Sequence, residues 1–384
     1  METNKTEYAL LHLMRCALHN TPPEPIPELD YEQLYALCVS QSVVAMIAMA
    51  LESGGLLTER FANPECIKKW KDARNNAIRK NILMDVEREQ ILQHFEEQGI
   101  WYLLLKGAIL KDIYPKMGMR QMADNDILFD PAYQHQIKAY MERRGYKTVS
   151  FDQGNHDVYE KPPVYNFELH IALFNEYLHE EWVDYYENIK LRLKKDEGNH
   201  FGFHFSDEDF YVYLLTHGYK HYSGGGTGIR FLSDIYVFLK EKADSMNWEY
   251  TFNELRTLKL YEFESNIRKL AEKVFGTDGL ALTDEEEKIV AYLMGAGTYG
   301  TMENWINQEL DRLQNSEGPV TGWTKLRYMW KRMFPDRKYM EEFSPICRKY
   351  KWTLPFLWIY RLIRGLVLWG DKIIKELKML RNAE

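Results

Sequence analysis

Met119-Arg120-Gln121-Met122-Ala123-Asp124-Asn125-Asp126-Ile127-Leu128-Phe129 places two aspartates, two positions apart, at the mouth of a short apolar strand. Side chains alternate faces along a strand, so Asp124 and Asp126 point the same way. Two carboxylates held together repel unless a cation sits between them, and that is the requirement of a divalent metal site for phosphoryl chemistry. A third carboxylate follows in Phe167-Glu168-Leu169-His170, where Glu168 and His170 share one face and Phe167 and Leu169 the other. Upstream, the apolar run Trp101–Leu105 ends in Lys106-Gly107 and leads into a helical pattern, which predicts a strand, a glycine turn and a helix N-terminus able to cradle phosphate.

Working outward, Ile100 to about 173 reads as strands with two helices between the first three of them. The predicted strands are Ile100–Leu105, Asp126–Phe129, Tyr146–Ser150, His156–Glu160 and Val164–Leu173, and the predicted helices are Ala108–Tyr114 and Pro131–Arg144. On either side the periodicity is helical. The boundaries expected are a helical region over 1–99, a mixed-sheet core over 100–204, a helical domain over 205–315 that closes the cleft, and a basic helical region over 316–384. Ser206 with Asp209 resembles a capping box opening the helix that carries His217, Lys220 and His221. Ser223–Gly228 lacks the Gly-Lys-Ser/Thr ending of a phosphate loop and reads as a flexible connector.

Composition sets wider bounds. Of 384 residues, 45% are hydrophobic and 28% charged, as in an ordinary globular chain. No basic n-region precedes an apolar segment at the start, so no signal peptide is expected. Four scattered cysteines without a C-x-x-C pair point to a reducing, cytoplasmic setting. Residues 321–384 hold 15 Lys+Arg and 6 Asp+Glu, a net of +9, against −17 for the remainder. Such a contrast predicts helices packed across the acidic body, with their basic residues toward an anionic partner; peripheral attachment to an anionic membrane is the rival. Trp358, Leu362, Leu366 and Trp369 would form the apolar side of an amphipathic helix, and Arg361, Arg364 and Pro355 argue against a membrane span.

Leu105-Lys106-Gly107, Tyr114-Pro115, Arg120, Asp124-Asn125-Asp126-Ile127-Leu128, Glu168-Leu169-His170 and the helical His217, Lys220-His221, Arg230-Phe231 and Asp234 occur in that order. In this order the chain, over about residues 30 to 240, resembles the nucleotidyltransferase superfamily that shares the DNA polymerase β palm. It is most similar to a bacterial family of largely uncharacterised nucleotidyltransferases. The resemblance implies an α+β fold, a palm-like mixed sheet flanked by N-terminal and C-terminal helical regions. It further implies a two-metal transfer of an NMP from an NTP to a hydroxyl acceptor, with Mg²⁺ or Mn²⁺ held by Asp124, Asp126 and Glu168. Lys106, Gly107 and Arg120 would bind the triphosphate, and Lys220, Arg230 and Asp234 would line the nucleotide cleft. His170 and His217 would contact the acceptor or support the metal ligands. The superfamily's usual Gly-Ser is Lys-Gly here, and Asn125 should point away from the metals.

Three alternatives remain. His217 and His221, four apart on a helix, could ligate zinc, but no third ligand is evident. A glycosyltransferase holding a nucleotide-sugar through Asp-x-Asp would need a larger α/β domain upstream, where residues 1–99 read as helices. A degenerate fold acting as a binding module is countered by the intact carboxylate trio. Asp126→Asn is expected to leave the fold intact, because it relieves like-charge repulsion.

Overall fold

The computed structural model describes residues 5–175, 180–277, 281–317 and 322–382. Four helices come first: α1 (Lys5–His19), α2 (Tyr31–Gln41), α3 (Val44–Ser53) and α4 (Pro64–Gln98). The 35-residue α4 is punctuated at both ends. Asn63 accepts from the Cys66 amide, Pro64 occupies the first turn, and Gly99 closes the helix at φ 70.

Among the described residues the sheet has seven strands: β1 (Tyr102–Leu104), β2 (Asn125–Phe129), β3 (Lys147–Ser150), β4 (His156–Lys161), β5 (Tyr165–His170), β6 (Lys194–Lys195) and β7 (Gly202–His204), in the order β3-β4-β5-β2-β1-β7-β6. Pairs β2–β5 and β1–β7 are parallel and the others antiparallel, so the fold is mixed α+β. The strand pair β6–β7 extends the predicted sheet by one edge. Two of its residues are lysines, which carry no apolar alternation to read.

Alternation gives the sheet two different faces. Ile127, Phe129, Phe167 and Leu169 pack against Ile91 and Phe95 of α4 and Ile137 and Met141 of α6 (Gln134–Arg143). The opposite face carries Asp126, Glu168 and His170. It looks toward the larger core that α1–α3 share with α8 (Asp207–Tyr222), α9 (Ile229–Lys242), α10 (Trp248–Thr257), α11 (Tyr261–Phe275) and α12 (Asp284–Ala296). Between β1 and β2, α5 (Gly107–Leu110) is a single turn rather than the seven-residue helix expected. One turn aligns few peptide dipoles, so little of the expected helix-terminal field remains at Gly107. Ser206 Oγ accepts the Asp209 amide at 3.1 Å, so this half of the expected capping box opens α8. Ser223–Gly228 is no loose connector: Gly225 and Gly226 are buried, and the Gly225 carbonyl accepts from the Thr301 amide at 2.9 Å.

The short α7 (Glu180–Tyr186) leads back toward the sheet edge. After α12 come α13 (Met302–Glu317), α14 (Gly322–Met333), α15 (Arg337–Phe343), α16 (Pro345–Lys349) and α17 (Leu354–Asn382). Ile306, Leu310, Tyr328 and Leu380 form a separate small core among α13, α14 and α17. Described contacts to the sheet region include the Arg348–Asp152 ion pair at 2.9 Å and the Gly154 amide to the Glu342 carbonyl at 3.3 Å. The tail therefore packs on α13 through this small core and touches the sheet region through Arg348 and Glu342, because its apolar contacts are made mainly to its nearest preceding helix. Trp358 and Leu362 are half-buried, with Trp358 Nε1 donating to the Pro335 carbonyl at 3.0 Å. Leu366 is instead exposed, and the Trp369 side chain lies outside the described residues. Among the described residues no helix is long and apolar enough to cross a membrane.

Candidate active site

Three adjacent strands build the floor. In the parallel register of β2 and β5, Asp126 lies beside Glu168, and in the antiparallel register of β4 and β5, His156 lies beside His170. Cross-strand partners share a face, so the four side chains project together into a cavity of about 360 Å³. Its walls are Lys106-Gly107 after β1, Asp124 before β2, His217 and Lys220 on α8, and Arg230 and Asp234 on α9; Thr298 and Tyr299 reach in from the loop beyond α12. A wider depression near Thr58 and Asn75 brings no such convergence of carboxylates and histidines.

The acidic segment is held from behind by α4. Lys80 Nζ donates to the Ala123 carbonyl (3.1 Å), Asn81 Nδ2 to the Arg120 carbonyl (3.3 Å), and Arg88 Nη1 to Asn125 Oδ1 (2.9 Å). Asn125, fully buried, points away from the cavity as expected, and α4 supplies its partners. Gln121 is gripped from both sides: its Oε1 accepts from the Ala45 amide (3.1 Å) and its carbonyl from Arg230 Nη1 (3.1 Å). Sequence reasoning had no access to Lys80, Asn81, Arg88 or Gln121, whose partners lie tens of residues away.

Lys106 adopts φ 42 and ψ −108, a backbone conformation costly for a residue with a Cβ. That turn delivers its ammonium to Asp126 Oδ1 at 2.8 Å. Gly107 then permits close approach: a Cβ there would lie 2.6 Å from Arg120 Nη1 and 3.0 Å from Met122 Sδ. Arg120 is committed elsewhere. Its Nε and Nη2 grip Asp234 at 2.8 and 2.9 Å, while Tyr114 donates to the same carboxylate at 2.7 Å. Arg120 and Asp234 are thus a buried, bidentate pair tying the turn after α5 to α9, with an edge on the cavity.

Electrostatics separate the three acids. For Asp126, burial would raise the pKa, but Lys106 and a 3.0 Å hydrogen bond from His170 outweigh it and hold the carboxyl below its usual range. Burial and the Asp126 charge raise Asp124, against Lys106, Arg230 and Arg120. Burial, then Asp126 and Asp124, push Glu168 up to about 7. Burial disfavours the Lys106 ammonium, yet Asp126 holds its pKa above the ordinary lysine value. Lys220 falls to about 8 through burial and repulsion from Lys106. His156 drops to about 3, chiefly by burial, with His170 next; His221, whose ring is more exposed, is lowered in the same direction. His170 and His217 are also lowered by burial, so all four imidazoles are neutral at pH 7. His217 and His221 stand 3.2 Å apart through their Nε2 atoms. Among the described residues His156, Glu168 and His170 each bring one potential ligand atom within 4.8 Å of the others.

These residues fit a divalent ion. Carboxylates are crowded on one face until Glu168 holds its proton near neutrality, and a dication relieves that crowding. His156 was the residue missed: it reads as part of a strand, and only the β4–β5 register brings it to the acids.

A family model described as "Uncharacterised nucleotidyltransferase" matches residues 27–276. No curated protein and no solved structure matches the chain.

Proposed function

The chain belongs to the uncharacterised nucleotidyltransferase family, and from that premise we propose that it moves an NMP from an NTP to a hydroxyl acceptor with release of pyrophosphate. The observation that carries this reading is the pairing of Asp126 with Glu168 on one sheet face, at the floor of a cavity walled by Lys106, Lys220 and Arg230. Asp124, Asp126 and Glu168 would hold divalent ions, Mg²⁺ or Mn²⁺, which supply charge neutralisation at the phosphates and acidity at the attacking hydroxyl. Lys106 and Arg230, both partly buried cations, bind phosphate oxygens and draw the triphosphate against the floor. Gly107 keeps the backbone close to them. Arg120 and Asp234 act by positioning, since each already satisfies the other. Glu168 accepts the acceptor's proton as its oxygen bonds to the α-phosphorus and the bond to the β-phosphate oxygen breaks. His170 orients Asp126, and His217 faces the acceptor side with Lys220.

The four buried, unpaired cysteines suit a cytoplasmic setting. The basic C-terminal helices are the face we assign to an anionic partner.

The test is a screen of labelled NTPs with Mg²⁺ or Mn²⁺, scored by pyrophosphate release and by transfer of label to the protein or to lysate components. Metal-dependent release that falls at least 100-fold in Asp126→Asn supports transfer. Tight NTP binding with no release from any nucleotide would leave the binding-module reading in its place.

A further inference from the structure

One amide sorts the two histidines at the floor of the cavity. Asn155 Nδ2 donates to the carbonyls of Ala172 (3.0 Å) and Leu173 (3.2 Å), which fixes which end of the amide is which. Its Oδ1, an acceptor only, then lies 3.4 Å from His156 Nδ1. The His156 ring proton therefore sits on Nδ1, and Nε2 keeps its lone pair, 3.7 Å from Glu168 Oε2. His170 is arranged the other way. Its Nε2 faces Asp126 Oδ1, an acceptor, at 3.0 Å, while its Nδ1 lies 3.5 Å from Asn155 Nδ2, whose two hydrogens go to the Ala172 and Leu173 carbonyls. The His170 proton sits on Nε2 and is spent on Asp126.

A neutral imidazole whose far nitrogen is hydrogen-bonded to a carbonyl has the arrangement of a metal-ligating histidine. We propose that His156 Nε2, beside Glu168, is a nitrogen ligand of the acceptor-side divalent ion, and that the site accordingly selects an imidazole-accepting ion such as Mn²⁺ over Mg²⁺. The proposal rests on the transfer reading for the presence of the ion. Two ligand atoms each about 2.1 Å from an octahedral ion stand about 3.0 Å apart. The observed 3.7 Å is closed by a small rotation of His156, whose side chain is one-third exposed. Mg²⁺ binds oxygen and keeps its water, so a nitrogen at this position works against it; Mn²⁺ accepts carboxylate and imidazole together.

The experiment uses the full-length chain with Mn²⁺ alone and no nucleotide. Pulsed EPR is expected to detect ¹⁴N coupling from one imidazole in the wild type and in His170→Gln, and none in His156→Gln. Calorimetry is expected to show Mn²⁺ affinity at least tenfold weaker in His156→Gln, with Mg²⁺ affinity changed less than threefold. Absence of Mn²⁺ binding, absence of nitrogen coupling in the wild type, or coupling that persists in His156→Gln would each overturn the assignment. The wild-type spectrum decides by itself if the variant does not fold. Nitrogen coupling without pyrophosphate release sinks the transfer reading alone; transfer without nitrogen coupling sinks this one alone.

Discussion

Asp126 and Glu168 stand side by side, yet their surroundings drive them in opposite directions. Asp126 is paired with Lys106 at 2.8 Å and His170 at 3.0 Å, and its carboxyl is held low. Removing its charge leaves a buried ammonium without its partner, a change that typically costs about 3 kcal/mol. Asp126→Asn should therefore lower metal-free stability in chemical denaturation, the reverse of the expectation from like-charge repulsion in the sequence. Unchanged stability would show that Lys106 does not depend on this carboxylate. Glu168 behaves oppositely. Its folded pKa of about 7 lies above the ordinary glutamate value of 4.5. The folded chain thus keeps a proton that the unfolded chain has released, and the stability from that proton is lost as pH rises from about 4.5 through 7. Glu168→Gln keeps a neutral group at all pH values. It should flatten this part of the metal-free pH–stability curve and raise the melting temperature most at pH 8. Parallel curves for the two proteins would exclude the shift.

At the scale of elements, the cavity depends on how α8 and α9 cross. Gly218 lies at the crossing, where a Cβ would meet Phe231 Cε2 at 2.1 Å and Cζ at 2.4 Å. Phe231 is buried in the large core and has little room to retreat. Gly218→Ala should force the helices apart and cost about 1–3 kcal/mol, the usual penalty of overpacking. Because His217 and Lys220 flank this residue on α8, the same variant should weaken nucleotide binding, read by calorimetry. A variant of wild-type stability would mean that the crossing is looser than its geometry. The turn at Lys106 belongs to this scale as well. Strain at φ 42 is sustained by the Asp126 contact on one side and the tight Gly107–Arg120 approach on the other.

For the whole molecule, the C-terminal helices form a small core of their own and meet the sheet region near Asp152 and Gly154. The family match ends at residue 276, so these helices lie outside it. Lys331, Lys349, Lys351, Arg364, Lys375 and Lys378 are exposed there, on a segment of net charge +9. Exposed charge of one sign binds polyanions in a salt-dependent way. The chain should be retained on a heparin matrix at low ionic strength and released near 0.3–0.5 M salt, roughly where the Debye length shrinks below about 5 Å. Reversal of Lys375, Lys378 and Arg364 to glutamate should abolish retention without changing the melting temperature. Retention that survives this reversal would remove the C-terminal helices as the anionic docking face.

The order of elements around Asp124, the mixed sheet, the burial of Phe167 and Leu169 opposite Glu168, and the helix end at Gly99 were all legible in the sequence. Each follows from short-range rules of alternation, capping and glycine geometry that act within a few residues. The one-turn α5, the capture of Arg120 by Asp234, the hold of α4 on Asn125 and the arrival of His156 beside Glu168 were decided only by tertiary structure. Each joins residues separated by many positions, and strand register, not local pattern, determines which side chains meet. The charge state of the site belongs to the same class. Two neighbouring acids can look equivalent in sequence, and only the folded positions of Lys106 and His170 make one a stable anion and the other a carrier of a proton near neutral pH.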